Sequence, residues 1–463
     1  MSLQERKKAL QPVLMLVPYF APQTHAAMFR AHKLAKYLPQ LGYRPVVVTT
    51  DINYLYNEDK ALLDELPPEV EIHRARFIEP TLRGVRMALG GRDRTFAALK
   101  RDAATPSSGA AENGRAKAVD IAAGRRWGVN TSEVVRLLGE WPDRHWTWAL
   151  AAERLCRRLI ATQGIGLLYT SAVPVSPLRT AMRLQKAFGL KWLADFRDPV
   201  GYGGKHSASG MIASALERRI LHQCMKKADR ITGLADSYGQ IFFDLYDLPE
   251  QKYQFIPTGL DEAYLSRQDR CDRIPGMLLH VGEVMPNQSR YAFTVLANAR
   301  SVAPESTAAL RLVFVGRREI NEPRVEALIS SIAGWDIPIT CIDHVPQSEV
   351  YALARSSQAC MLIPGRHRYW WTNFAKLVDY LALRVPVIAD VPAMSEARQE
   401  LAKTGQAFFL TGDLSNDVAA LIEWLQLSVE GEINDYGQRY TARQQARSFA
   451  QVFDDLMAEG EGR

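Results

Sequence analysis

Lys376 and Asp379 stand three residues apart at the start of an apolar-periodic stretch, Lys376-Leu377-Val378-Asp379-Tyr380-Leu381, behind an apolar run at 359–363. That spacing puts both side chains on one face of a helix. The pattern predicts a helix beginning near Asn373, so that the Lys376 ammonium and the helix N-terminus address the same anion. The Asp379 carboxylate can accept hydrogen bonds from two adjacent ribose hydroxyls, although an exposed i, i+3 ion pair explains the same two residues. Thr372 and Asn373 close the loop that delivers Lys376 and belong to the same candidate site. Before them, Trp370 and Trp371 read either as a stacking platform or as packing.

Other chemistry-bearing residues follow apolar runs in the same way. Gly282 ends the run 277–281, with Glu283, Gln288 and Arg290 shortly after; Gly316-Arg317-Arg318 ends the run 311–315, and His344 follows 338–342. In the first half, Asp195-Phe196-Arg197-Asp198 follows a run ending at Ala194, Ser171 follows one ending at Tyr169, and His25 lies in the loop after Val13 to Val17. The charged triplet Asp195, Arg197 and Asp198 reads as a site or as ion pairing that fastens a loop. A histidine at a helix start reads as a cap, a solvated residue or a proton carrier.

The elements that must position these residues are alternating strands and helices. Continuous apolar strands at 13–17, 45–50, 165–169, 191–194, 230–233 and 253–256 predict one parallel sheet covered on both faces, and those at 277–281, 311–315, 338–342, 359–363, 386–389 and 406–410 predict a second. In open parallel sheets ligands bind beyond the carboxyl ends of the strands, where all the residues above lie. The expected organisation is a domain over 1–262, a second over 270–430, and a helix over 436–457 returning to the first. Residues 80–126 interrupt the first domain with ten Lys or Arg against four Asp or Glu, which reads as a solvated insertion or as a segment for anionic membrane.

Bulk properties narrow the function classes. The net charge of +6 over 463 residues is too mild to demand a nucleic-acid partner, and five scattered cysteines without a CxxC spacing fit neither a disulfide framework nor a zinc site. A reducing, cytoplasmic location is expected. No apolar stretch reaches the roughly 18 residues of a membrane span, so a soluble chain able to rest on the inner membrane face is expected.

Five motifs in order, Tyr19-Phe20-Ala21-Pro22, Thr170-Ser171-Ala172-Val173-Pro174, Asp195-Phe196-Arg197-Asp198, Ile256-Pro257-Thr258-Gly259-Leu260-Asp261 and Lys376 to Leu381, resemble bacterial family-4-type glycosyltransferases. The resemblance implies the α/β fold called GT-B, with two Rossmann-like domains facing each other across a cleft. It also implies a nucleoside-diphosphate-sugar co-substrate, retention of anomeric configuration, and a glycan or lipid-linked acceptor. No Asp-x-Asp motif is present, so no metal and no further cofactor are expected, and the leaving diphosphate must be met by cations and N–H groups. Lys376 and Arg290, with Asp198, become the expected catalytic groups. Asp379, Gly282, Arg317, His344, Thr372 and Asn373 become the donor-binding set, and His25, Ser171, Asp195 and Arg197 the acceptor side. The sequence departs from the family at Trp371, in place of the first glutamate of an E-x7-E pattern, and at Glu283 and Gln288, where a basic pair is usual. Two alternatives are therefore open: a sugar-nucleotide-binding partner without turnover, and a sugar-nucleotide epimerase on the same fold.

Overall fold

The computed structural model describes residues 10–25, 27–51, 57–80, 141–202, 211–265, 272–285, 288–367, 370–371, 374–405, 407–427 and 435–461. The basic insertion, apart from Pro80, and the candidates Thr372 and Asn373 lie outside the described residues. The chain divides into two compact units, Met1–Ile231 with Phe453–Arg463, and Thr232–Val452.

The first sheet has seven strands: β1 (Gln11–Leu16), β3 (Tyr43–Thr50), β5 (Glu71–Ala75), β6 (Leu167–Ala172), β7 (Lys191–Phe196), β8 (Arg230–Gly233) and β9 (Tyr253–Phe255). Their spatial order is β5-β3-β1-β6-β7-β8-β9, and β1 pairs in parallel with both β3 and β6. Val13, Leu14, Met15 and Leu16 are fully buried, as a strand covered on both faces requires. Two short strands, β2 (Gln23–Thr24) and β4 (Asn57–Glu58), pair antiparallel beside it.

The second sheet holds β10 (Ile274–Val281), β11 (Arg311–Val315), β12 (Ile339–Ile342), β13 (Ser357–Leu362), β14 (Val387–Ala389) and β15 (Ala407–Phe409). It is parallel throughout, in the order β12-β11-β10-β13-β14-β15. Successive side chains alternate between two cores. Leu279, Cys360 and Leu362 pack with Leu377, Tyr380 and Leu381 of the helix Ala375–Ala382 on one face, while Leu278, Phe314 and Met361 pack with Phe293, Leu296 and Leu421 on the other.

The strand order fixes where a ligand can sit. In the second sheet the chain proceeds outward from β10 through β11 to β12, then returns to β13 on the other side of β10, which makes β10 and β13 the switch point. In the first sheet the equivalent reversal falls between β1 and β6. Within each sheet, the carboxyl ends of the two strands at its switch point are where ligands bind in open parallel sheets. The loop after β1 contains His25, β6 itself carries Ser171 close to its end, the loop after β10 begins at Gly282, and the loop after β13 delivers Lys376.

The last helix, Ala442–Glu461, spans the division between the units. Its end belongs to the first unit, where the Tyr43 hydroxyl donates to Asp454 and Tyr43 packs edge-on against Phe453.

Candidate functional site

In the second unit Lys376 occupies the second position of its helix, one turn before Tyr380. The Val281 N–H donates to the Tyr380 hydroxyl at 3.4 Å, which ties this helix to the end of β10. Lys376 therefore reaches the same strand end, and its Nζ lies 3.2 Å from His280 Nε2. A Cβ placed on Gly282 would stand 4.0 Å from Nζ, and Gly282 itself has φ +91°, a bend that favours glycine. Burial lowers the Lys376 pKa to about 8.

The bend is held from behind. Asn321, fully buried, accepts from Val284 N–H at 2.9 Å and donates to the Gly282 carbonyl at 3.2 Å. Gly282 N–H donates to the Val315 carbonyl at 2.7 Å. Gln288 lies inside the loop, accepting from Met285 N–H at 3.1 Å, with its amide nitrogen 3.4 Å from His280 Nε2. His280, Gln288, Lys376 and Gly282 thus form one compact group, of which sequence reasoning had singled out all but His280.

The other candidates in this unit are placed differently. Asp379 accepts from the Tyr351 hydroxyl at 3.3 Å, which presents a carboxylate already oriented by a neighbour. Arg317 forms an exposed ion pair with Glu283, Nε to Oε1 2.7 Å, so its charge is partly answered within the protein. Arg290 is exposed as the residue before the helix Tyr291–Val302, and His344 is exposed after β12. The helix of Lys376 opens at Ala375, with Phe374 in an extended conformation before it. Trp370 and Trp371 meet edge-on at 6.0 Å; the Trp371 carbonyl accepts from the Ser237 hydroxyl and the Trp370 carbonyl from Glu396 N–H.

In the first unit the charged triplet separates into two roles. Asp195 is fully buried and receives Arg30 in a bidentate pair, at 2.8 and 2.9 Å, together with the Tyr169 hydroxyl at 2.8 Å. It fastens the helix Met28–Tyr37 to β7. Arg197 donates to the Val173 carbonyl at 2.6 Å; burial lowers its pKa, with Asp198 and Tyr19 opposing that shift. Asp198 is half-buried at the following turn and Ser171 is buried on β6.

His25 packs against Tyr19 with the rings tilted at 38° and 4.5 Å apart, and Tyr19 in turn meets buried His145 at 5.1 Å. Burial, then the charges of Arg197 and His145, lower the His25 pKa to about 4. Its Nδ1 accepts from Ala27 N–H at 3.1 Å, so the neutral ring carries its proton on Nε2 and offers that N–H as a donor. Among the described residues no group of three His, Cys, Asp or Glu could hold a metal ion, and no helix is long and apolar enough to cross a membrane.

No protein-family model matches this sequence, and no curated protein matches it. Solved structures do. A glycosyltransferase from Rickettsia africae ESF-5 superposes with a TM-score of 0.55 at 11% identity, over 97% of this chain and 99% of that one. Anabaena HepE in complex with UDP and glucose gives 0.56 at 10% identity, over 96% and 100%. A Listeria monocytogenes protein assigned as a UDP-N-acetylglucosamine 2-epimerase gives 0.51 at 10% identity, over 97% and 97%. At these identities the likeness establishes the fold, the two-sheet α/β arrangement of GT-B. Transferase and epimerase share it, so the chemistry must be argued from the site.

Proposed function

We propose that this chain is a retaining, metal-independent glycosyltransferase that moves a sugar from a nucleoside-diphosphate-sugar to a polysaccharide or lipid-linked acceptor in the cytoplasm. One observation carries the reading: a desolvated lysine in the first turn of a helix, beside a glycine bend, at the switch point of a parallel sheet. Departure of a diphosphate leaves negative charge, and a preorganised ammonium with helix N–H groups stabilises that charge without a metal. Asp379 would receive the ribose hydroxyls, with Arg290 near the phosphates. His25, Arg197 and Asp198 would shape the acceptor side, and the basic insertion would meet anionic membrane.

The test is a thermal-shift screen of UDP, GDP, ADP and their sugars on wild type and Lys376→Ala, with turnover measured with and without EDTA. A ligand bound only by the folded state raises the melting temperature. The reading expects a shift in wild type, its loss in Lys376→Ala, and turnover indifferent to chelator. Equal shifts in both proteins would sink it. A second reading, nucleotide binding without turnover, draws on the Glu283–Arg317 pair, which answers a cation a transferase would use. It expects a thermal shift with no nucleotide released from any sugar donor.

A further inference from the structure

His280 Nε2 lies within hydrogen-bond reach of two groups that can only donate to it, the Lys376 ammonium at 3.2 Å and the Gln288 amide nitrogen at 3.4 Å. Its lone pair therefore faces Lys376 and its proton sits on Nδ1. The ring is 1% exposed; burial first, and the Lys376 charge second, hold its pKa well below the ordinary histidine value.

We propose that His280 is a positioning residue that takes one N–H of Lys376 on its lone pair and turns the others toward the open side of the Gly282 bend. The proposal rests on the reading of Lys376 as the cation for a departing diphosphate. A carboxylate at this position would hold the ammonium equally well but cancel the charge that an anion must find. A neutral imidazole holds it and leaves the charge whole. The other groups around Lys376 do not replace this function. Cys360 on β13 has its thiol pushed up to about 12 by burial, the Tyr380 hydroxyl takes Val281 N–H, and Asp379 receives Tyr351.

Because a hydrogen bond to the charged form favours that form, removing the acceptor drops the Lys376 pKa below its present value of about 8. His280→Leu removes the acceptor and keeps an apolar side chain, whereas His280→Gln restores an acceptor. UDP binding measured by calorimetry from pH 6.5 to 9.5 is expected to weaken about tenfold in His280→Leu at pH 7.5, with its alkaline decline moved to lower pH. His280→Gln should recover most of both. A His280→Leu protein that melts earlier yet binds UDP with unchanged affinity and pH profile would reduce His280 to packing and overturn the proposal.

Two controls separate this from the reading beneath it. If Lys376→Ala binds UDP as wild type does, or wild type ignores UDP, the diphosphate reading fails. His280 is then judged without ligand, by the pH dependence of Lys376 acylation with trace acetic anhydride read by mass spectrometry. Overlapping wild-type and His280→Leu profiles overturn it there too.

Discussion

At the scale of single residues, a lysine whose pKa burial holds at about 8 sets function against stability. The folded chain gives up the Lys376 proton at lower pH than the unfolded chain, whose lysine titrates near 10.5. Between these values the unfolded state binds more protons, so stability rises with pH through that window and its deficit is largest below it. Lys376→Met keeps the length and removes the charge. At pH 7 it should stabilise the chain by up to the order of 3 kcal/mol, the equivalent of that shift, while abolishing nucleotide binding. Denaturant titrations at pH 7 and pH 10 check it: the gain should shrink at the higher pH, and a variant less stable than wild type at pH 7 would contradict the argument.

At the scale of elements, the Gly282 bend depends on a second glycine. A Cβ on Gly316, after β11, would stand 3.0 Å from the Gly282 carbon and oxygen and 3.1 Å from the Asn321 amide nitrogen. Gly316→Ala must therefore displace the Gly282 bend or the Asn321 amide that holds it, costing about 1–3 kcal/mol as overpacking does. Melting and UDP affinity should fall together, and a variant with unchanged affinity would mean the bend does not hold the ligand. Strands such as β3 and β11 were legible because Val46-Val47-Val48 and Leu312-Val313-Phe314 are unbroken apolar runs. β5 was not: Glu71-Ile72-His73-Arg74-Ala75 lies at the sheet edge, where one side is solvated and the pattern thins. β13 opens two residues earlier than its apolar run because Ser357 and Gln358 are buried with partners, Ser357 donating to the Ala354 carbonyl and Gln358 accepting from Gly276 N–H. Lys376, Asp379 and Gly282 could be read from position alone. His280 was hidden inside Leu278-Leu279-His280-Val281, since one polar residue does not break a strand, and its partner is 96 positions away. Arg317 was legible as a cation, but not the glutamate that answers it.

At the scale of the whole molecule, His25 and His145 in the first unit and His280 in the second have pKa values that burial, first among the causes, lowers. The unfolded chain takes up their protons near pH 6.5, the folded chain only lower, near 4 for His25. Their contribution to stability is complete above 6.5 and is lost as pH falls toward 4. Asp390 and Glu396, whose carboxyl pKa values burial raises, offset part of this. Denaturation midpoints should thus decline from pH 7 to pH 4.5, and more gently in His25→Gln; identical slopes would remove His25 from the account. The helix Ala442–Glu461 bears on how the molecule is made. Residues 453–463 belong with 1–231, so the unit translated earlier of the two is completed only after the other has been made. Tyr43 and Asp454 stand 411 positions apart, and everything between them must be translated before they can meet. A nascent chain stalled after the second sheet would therefore carry a first unit still missing the end of that helix.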